Sequence, residues 1–281
     1  MEQAVFDRLA HRPKDSYKYS FGHVLIVGGS NGMVGAPFLA AQAALRSGAG
    51  LVTIASDRSV IEKLERRVLE IMTLSVAMDT ASSFAIIQQY VKSRKVSVLV
   101  IGPGLRPSAA PLVLSILKAM RLPAVIDSGA LGILAAHQAS RNNFRAAPLI
   151  LTPHHGELRG FLKQPLSQKQ ADVLSQAEKL AQQQNYILVL KGAPTYTILP
   201  DGTQAKNTTG GPGLATAGTG DVLAGMIGAF IAQGIAAEQA VPAAVYLHGK
   251  AGDIATGLKT EAGVIASDVI EAIPTALKQI I

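Results

Sequence analysis

The sequence predicts a single α/β domain in which helices cover both faces of a mostly parallel central sheet. Short, continuously apolar runs alternate with helical patterns over most of the 281 residues. Such runs are typical of strands buried on both sides, and the intervening helices provide the crossovers between parallel strands. With 48% hydrophobic and 16% charged residues, the chain can bury one large core. No linker or internal repeat divides it, so we predict one domain over residues 1–281.

Eight strands and seven helices follow from this alternation. The predicted strands are residues 23–29, 51–55, 71–76, 98–101, 124–126, 149–151, 187–190 and 196–199. The predicted helices are residues 36–47, 82–91, 109–120, 167–184, 221–232, 238–255 and 267–278. Pro200, Asp201 and Gly202 follow the last strand and are typical turn residues, so we expect a hairpin and an antiparallel edge there.

The composition narrows the classes of function. The formal net charge is +7, but the basic residues are scattered, 5% of residues are aromatic and there is no Trp. We therefore expect no nucleic-acid partner, and a small polyanion such as a nucleotide accounts for the charge. The lack of Cys excludes disulfides, thiolate catalysis and cysteine-ligated metals. The N-terminal residues are polar and no apolar run approaches about 20 residues, so we expect a cytoplasmic protein without a membrane partner.

The most informative segment is residues 207–225, which read NTTGGPGLATAGTGDVLAG. Its glycines let backbone N–H groups converge on an anion, and the helix predicted to follow directs the positive end of its dipole to the same point. A bound phosphate repels a carboxylate, so Asp221 needs a chemical reason to be there. A base for a hydroxyl that attacks phosphorus is such a reason. A helix cap is the alternative, but it does not require the glycine-rich loop, so we favour phosphoryl transfer.

Polar or turn-forming residues at five strand ends predict a cleft, because ligands of such sheets bind at the carboxyl ends of the strands. The segments are 28–30, 102–104, 127–128, 152–154 and 191–192. The loop that begins with the first of them matches neither a dinucleotide fingerprint nor a P-loop, and a tight turn explains it better. The second segment is as consistent with a turn as with a binding loop.

Four charged or titratable residues in or next to these segments are candidates for the site. Asp127 either steadies Mg²⁺ through water or caps the next helix, and the sequence favours neither. His154 is better placed to contact a substrate than to bind zinc, because no third ligand has suitable spacing. Glu157 could simply serve the first turn of the following helix. Lys191 directly follows an apolar strand and suits a diphosphate, and the alternative is a lysine that extends into solvent.

Six segments resemble the ribokinase-like superfamily and, within it, the ADP/ATP-dependent NAD(P)H-hydrate dehydratases. They are GGSNGMVGAPFLAAQAALRSGAGLVT, GPGL, IDSGAL, LTPHHGE, LKGAPTYT and GLATAGTGDVLAG. The last segment alone indicates only the superfamily, whereas the first together with LTPHHGE and LKGA narrows it to the dehydratases. The resemblance implies a three-layer ribokinase-like fold. It also implies repair of hydrated NADH or NADPH by phosphorylation of the added hydroxyl with ADP or ATP, followed by loss of phosphate.

The resemblance implies roles for individual residues. Asp221 would be the catalytic base, and the hydrated dinucleotide would contact Asp221, Ala36, Gly104 and His154. The nucleotide would be bound by Lys191, Gly192, Ala193, Pro194, Thr195 and Gly220. The anion hole would be formed by Ala217, Gly218, Thr219 and Gly220. Mg²⁺ would bridge the phosphates through ligands that the sequence does not identify, and the protein would be a homotetramer.

Two departures from the family bear on these expectations. The family often has Asn where this chain has Gly211, so we expect a local hydrogen bond to be missing. Bifunctional members carry an epimerase domain for which the 281 residues leave no room. We therefore expect action on the S epimer, with ADP as donor and AMP and phosphate as products, alongside a separate epimerase.

Two other functions remain in view. One is a small-alcohol kinase of the same superfamily, acting on a hydroxyethylthiazole or pyridoxal-type substrate. It would use the GTGD motif for the same phosphoryl transfer but release a stable phosphate ester. A nucleotide-sensing module would keep the anion hole without turnover. Asp221 argues against the sensor, because a sensor gains from replacing a carboxylate beside phosphate.

Overall fold

A computed structural model describes residues 3–138, 144–145, 147–162, 165, 167 and 169–280. Within them, nine strands form one sheet. The strands are β1 (His23–Val27), β2 (Leu51–Ser56), β3 (Met72–Ser75), β4 (Val98–Ile101), β5 (Ala124–Ile126), β6 (Leu149–Leu151), β7 (Tyr186–Leu190), β8 (Tyr196–Ile198) and β9 (Gln204–Lys206). Their order is β3-β2-β1-β4-β5-β6-β7-β8-β9. Strands β1 to β7 are parallel, whereas β8 is antiparallel to β7 and β9 to β8.

Helices cover both faces of this sheet. They are α1 (Gln3–Ala10), α2 (Gly35–Arg46), α3 (Arg58–Leu64), α4 (Phe84–Arg94), α5 (Ala110–Ala119), α6 (Gly129–Ala136), α7 (His155–Arg159), α8 (Gln170–Gln184), α9 (Thr219–Ala232), α10 (Ala237–Leu258) and α11 (Ala266–Lys278). Helices α1 to α3 and α9 to α11 share one core with the sheet, and α4 to α8 share the other. The predicted α/β fold with three layers is thus confirmed. No helix of the described part is both long and apolar enough to cross a membrane.

Alternation along the strands divides the two cores. In β1, Val24 and Ile26 pack into the core that contains α9, while Leu25 and Val27 pack into the opposite core. All four side chains are fully buried. A strand covered on both faces must be apolar at every position, which is why these strands read as continuous apolar runs rather than as an alternating pattern.

The predicted elements are confirmed with shifts of up to three residues at their ends. The hairpin is also confirmed: Gly202 has a φ of 90° and its N–H donates to the Leu199 carbonyl at 3.0 Å. Strand β9 was not predicted, because it has three exposed residues and no apolar signal. The predicted helix 167–184 begins at Gln170, and Gln168 lies outside the described residues.

No bounds were predicted for four helices, α1, α3, α6 and α7. Helices α3 and α7 are short, with seven and five residues. Helix α6 reads GALGILAA, which has no polar face to reveal a helical period. Helix α1 lies in the polar N-terminal segment, where Val5, Phe6 and Leu9 provide its buried contacts.

The carboxyl ends of β1 and β4 form the point at which the strand order reverses. From β1 the chain proceeds outward through β2 and β3, then returns to add β4 on the other side of β1. Crossover connections leave these two neighbouring strands in opposite directions, which opens a crevice between them. The crevice is therefore the position at which the fold itself predicts a ligand.

Helix α9 approaches this crevice by packing backbone to backbone against α2. A Cβ atom on Gly225 would overlap the Ala40 carbonyl oxygen, and one on Gly218 would lie 2.6 Å from Leu39 Cδ1. Every residue of α9 from Val222 to Ala232 is buried. Glycine at position 225 is thus required by the close approach of the two helices.

We expect Gly225→Ala to destabilise the protein by about 1–3 kcal/mol, because backbone atoms cannot move aside as side chains can. The matched control is Gly132→Ala in α6, where a Cβ would meet open space. That change should stabilise the protein by about 0.5–1 kcal/mol through helix propensity alone. Urea unfolding of both variants measures the two effects. Equal stability of the two variants would contradict the tight α2–α9 contact.

Candidate active site

The first turn of α9 presents backbone donors to the crevice. Gly218 adopts a left-handed conformation with φ 93°, and the first helical bond runs from the Val222 N–H to the Gly218 carbonyl. The Thr219 hydroxyl lies 2.9 Å from the Leu214 carbonyl oxygen and 3.0 Å from that of Thr216, which fixes the curve of the loop. Because the first N–H groups of a helix have no intrahelical acceptor, this end is suited to an anion. The predicted anion-hole residues, Ala217 to Gly220, all lie here.

Asp221 is the third residue of α9 and so lies in this first turn. The helix begins two residues earlier than predicted. Its carboxyl is partly buried. Burial, and then the negative charge of Asp127, raise the pKa of Asp221 to about 7, while Lys191 acts in the opposite direction. A carboxyl with a pKa near neutrality takes up and releases a proton easily, as a general base must.

Lys191 connects the strand ends to the start of α9. It directly follows β7, and its Nζ lies 2.9 Å from Asp127 Oδ1 and 3.7 Å from Glu157 Oε2. A Cβ atom built on Gly220 would lie 3.5 Å from the same Nζ. Burial alone would lower the pKa of Lys191, but Asp127, Glu157 and Asp221 outweigh it, so the pKa is raised and the side chain stays charged. The alternative of a lysine extending into solvent does not describe this side chain, which is 22% exposed.

Asp127 is the buried anion of this cluster. Its side chain is 2% exposed, and Oδ1 accepts hydrogen bonds from the Thr152 hydroxyl at 2.6 Å and from Lys191. The next helix, α6, has Ser128 at its N-cap and no side-chain cap. Asp127 therefore does not cap this helix; its observed partners are a lysine and a hydroxyl. Sequence reasoning did not pair it with Lys191, because 64 residues and strand β6 separate them.

His154 lies beside Lys191 at the neighbouring strand end, where the two backbones form a parallel bridge. Its Nδ1 accepts the Glu157 N–H at 3.2 Å, and the Glu157 carboxylate accepts the His154 N–H at 2.9 Å. Glu157 thus serves the first turn of α7, which is the role that the sequence left open for it beside a metal site. Because Nδ1 is an acceptor, the neutral ring carries its proton on Nε2. The side chain is 59% exposed, so that donor remains accessible at the rim of the crevice.

Ala36 and Gly104 meet where the loops after β1 and β4 touch. A Cβ atom on Gly104 would lie 2.6 Å from the Met33 carbonyl oxygen and 3.3 Å from Ala36 Cβ. Gly104 has a φ of 70°, which favours glycine. The Arg106 guanidinium donates to the Asn31 carbonyl at 2.8 Å and ties the two loops together. The two predicted substrate contacts therefore form one small-residue wall of the crevice.

The loop that follows Lys191 runs beside the glycine-rich segment. The Thr195 hydroxyl donates to the Gly192 carbonyl at 3.0 Å, and the Asn207 N–H donates to the Thr195 carbonyl at 2.9 Å. The peptide between Ala193 and Pro194 is cis. The six residues predicted to bind the nucleotide, Lys191 to Thr195 and Gly220, thus lie near one another at the carboxyl edge of the sheet and the start of α9.

Helix α10 holds the glycine-rich segment in place. The Thr209 hydroxyl donates to the Tyr246 carbonyl at 2.8 Å, and the Gly210 N–H donates to Asp253 Oδ2 at 3.1 Å. Sequence reasoning missed Asp253, because it is one polar residue within a long helical pattern. A side chain at Gly211 would meet open space, so the Asn that the family often has there would fit.

His248, also on α10, lies beneath the start of α9 and was likewise missed. Burial lowers the pKa of His248 to about 4, a hydrogen bond with the Thr219 backbone acts to raise it, and Lys191 acts to lower it. The imidazole is therefore neutral at physiological pH and adds no charge to the anion site.

Among the described residues, no group of three or more His, Asp or Glu side chains is arranged to hold a metal ion. Mg²⁺ prefers octahedral oxygen ligands and commonly takes most of them from substrate phosphates and water.

We expect Asp221→Asn to stabilise the protein above neutral pH. The carboxyl titrates at 3.8 when unperturbed and at about 7 in the folded chain, so the folded protein binds more protons between these values. Stability from this group therefore falls as pH rises through that window. Urea unfolding should give a gain of at most about 4 kcal/mol at about pH 8 that vanishes toward about pH 4. A gain independent of pH, or one matched by exposed Asp79→Asn, would contradict the raised pKa.

Comparison with known proteins identifies the family. The sequence profile of the NAD(P)H-hydrate dehydratase family matches residues 24–275. The chain is 40% identical over 278 residues to a bifunctional NAD(P)H-hydrate repair enzyme of Moorella thermoacetica, covering 97% of this chain and 52% of the relative. It thus spans about half the length of that relative. An ADP-dependent (S)-NAD(P)H-hydrate dehydratase of Neisseria meningitidis is 37% identical over 260 residues, covering 91% of this chain and 83% of the relative.

The fold agrees with this assignment. The crystal structure of an ADP/ATP-dependent NAD(P)H-hydrate dehydratase from Bacillus subtilis, co-crystallised with ATP and Mg²⁺, superposes with a TM-score of 0.83. It is 30% identical and covers 100% of this chain and 98% of the other. The sequence match and the superposition both include the crevice, which lies at the carboxyl ends of β1 and β4 and at the start of α9. The chain therefore belongs to the NAD(P)H-hydrate dehydratase family and has its ribokinase-like fold.

Proposed function

We propose that this chain dehydrates the S epimer of hydrated NADH or NADPH, using ADP as the phosphoryl donor. One observation carries the proposal: Asp221, with its pKa near 7, stands in the first turn of α9 beside free N–H donors and the Lys191 ammonium ion. A base and an anion site thus adjoin each other. The relatives named as dehydratases support the choice of substrate.

In the first step, Asp221 accepts the proton of the hydroxyl on the hydrated nicotinamide ring. The oxygen attacks the terminal phosphorus of ADP, and the bond to the bridging oxygen breaks so that AMP leaves. The N–H groups at the start of α9 receive the charge of the phosphoryl oxygens during transfer. Their fixed direction means that no reorganisation is needed as the charge develops.

In the second step, the lone pair of the ring nitrogen expels the phosphate, and loss of a proton from the adjacent carbon restores the double bond. Hydroxide is a poor leaving group and phosphate a good one, which is the reason for the phosphorylation. The net change is hydrate plus ADP to NAD(P)H, AMP and phosphate. Water leaves the cofactor and is consumed in the cleavage of ADP.

The surrounding residues divide between the two ligands in this proposal. Lys191 to Thr195 and Gly220 bind the nucleotide, with the ammonium ion paired to its phosphates. Ala36 and Gly104 leave space for the hydrated dinucleotide, and His154 donates a hydrogen bond from Nε2 at the rim. Each of these assignments has the same basis: position along one crevice and agreement with the family's motifs.

Further parts of the proposal concern the assembly and the donor. Mg²⁺ accompanies the nucleotide, and the protein acts as a cytoplasmic homotetramer alongside a separate epimerase for the R form. The Neisseria relative is named for ADP, whereas the Bacillus relative is named for both donors. We choose ADP because two relatives whose length this chain largely covers carry that name.

A small-alcohol kinase remains the second candidate, because the start of α9 would serve any hydroxyl acceptor. The kinase would accumulate a stable phosphate ester. The family assignment favours the dehydratase, in which the phosphate is lost again.

We expect the protein to restore the near-ultraviolet absorbance of the dihydronicotinamide when mixed with hydrated NADH, Mg²⁺ and ADP. Asp221→Asn should lower kcat by several orders of magnitude while ADP still binds, since only the base is lost. Isothermal titration with ADP checks the binding of the variant. Stable phosphate esters from simple alcohols, without recovery of absorbance, would favour the kinase instead.

We expect Lys191→Met to weaken ADP binding about 10- to 100-fold, because it removes a charged hydrogen-bond donor to the phosphates. Lys92→Met, on the exposed surface of α4, is the matched control and should bind ADP as the parent does. Isothermal titration at constant salt compares the three proteins. An unchanged affinity for Lys191→Met would remove this residue from the nucleotide site.

A further inference from the structure

Three carboxylates surround one lysine at the base of the crevice. Lys191 Nζ contacts Asp127 and Glu157, and its charge also acts on Asp221. Of the three, only Asp127 is fully buried, and the Thr152 hydroxyl orients it from below. Its side chain is too enclosed to contact a bound nucleotide directly.

We propose that Asp127 is a positioning residue: its buried carboxylate holds the Lys191 ammonium ion beside Gly220, and its negative charge acts on the neighbouring Asp221. The sequence did not predict this role. It left Asp127 equally consistent with a metal contact and with a helix cap. The catalytic meaning of this inference rests on the proposed function, whereas the contacts of Asp127 with Lys191 and Thr152 do not depend on it.

The first part follows from the short ion pair. A lysine side chain has several rotatable bonds, and fixing it costs conformational entropy. The 2.9 Å bond to a buried, hydroxyl-anchored carboxylate sets the direction of Nζ before the nucleotide arrives. Glu157, at 3.7 Å and already bonded to the His154 N–H, is a weaker partner.

The second part follows from the charges that face Asp221. Asp127 at the end of β5 and Lys191 at the end of β7 both act on it, and Lys191 Nζ lies 3.5 Å from a Cβ atom built on the adjacent Gly220. His248 is neutral, and Glu157 acts mainly on Lys191 and His154. The balance on Asp221 is thus set by one anion and one cation, bonded to each other.

Two measurements test the proposal, and neither requires the hydrated cofactor or turnover. The first is a carbon-13 NMR titration of aspartate-labelled protein without nucleotide, in which Asp221→Asn assigns the signal. Asp127→Asn should lower the titration midpoint of Asp221 by about one pH unit, because a neighbouring negative charge is removed. Lys191→Met should raise it, and exposed Asp79→Asn should leave it in place.

The second is a double-mutant cycle on ADP affinity. Asp127→Asn alone should weaken ADP binding about tenfold, since Lys191 loses its orientation. In a Lys191→Met background the same change should alter ADP affinity less than about twofold, because the residue it positions is gone. The double variant removes both charges of a buried pair, so it remains a test even where Asp127→Asn alone fails to fold.

Additive effects on ADP affinity would overturn the positioning role. A titration midpoint of Asp221 that stays fixed or rises in Asp127→Asn would overturn the electrostatic role. If Asp127→Asn does not fold, the same midpoint is compared between the double variant and Lys191→Met, and a midpoint that is not lower in the double variant overturns that role. If both measurements come out as expected while the protein fails to restore any hydrated cofactor, the proposed function fails and this inference stands.

Discussion

The burial of α9 is the constraint on which the site depends. Its residues from Val222 to Ala232 are apolar or glycine and enclosed on all sides, and Gly225 sets its backbone against that of Ala40. A helix held in this way cannot rotate or slide without opening a cavity. The N–H groups of its first turn are therefore fixed in direction, as electrostatic stabilisation of a transferring phosphoryl group requires. The hydrophobic core thus keeps α9 rigid, and the glycines before it let an anion approach the N–H groups of its first turn.

Burial also shapes the chemistry of the charged groups at the end of that helix. The same enclosure raises the pKa of Asp221 to about 7 and lowers that of His248 to about 4, so that near neutral pH the carboxyl titrates and the imidazole is uncharged. Under the same enclosure the pKa of Lys191 is raised, because the charges of Asp127, Glu157 and Asp221 outweigh the effect of burial. A cluster of this kind lowers stability, since charges lose solvation that their partners replace incompletely. Such a cost is common where a site is built for function.

Much of the fold and part of the site could be predicted from sequence. Continuous apolar runs revealed eight strands, and the order GTGD predicted the helix start at which Asp221 lies. The ion pair of Asp127 with Lys191 could not be predicted, because it depends on which strand ends lie near each other and not on spacing along the chain. Asp253, His248 and the bond of Thr152 to Asp127 were missed for a related reason: each of these residues acts by supporting another residue. Helix α6 was missed because full burial removes the polar face that reveals a helical period.

The edge of the sheet has a consequence for the dynamics of the crevice. Strand β9 is exposed along its whole length, and it leads directly into Asn207, whose N–H is bonded to the loop at Thr195. Edge strands open at lower free energy than central ones, so fraying there reaches the loop of residues 191–195 through covalent continuity. If that loop binds the nucleotide as proposed, the affinity includes the free energy of keeping the outermost hairpin closed. Substitutions on that distant rim would change residence time without touching any ligand.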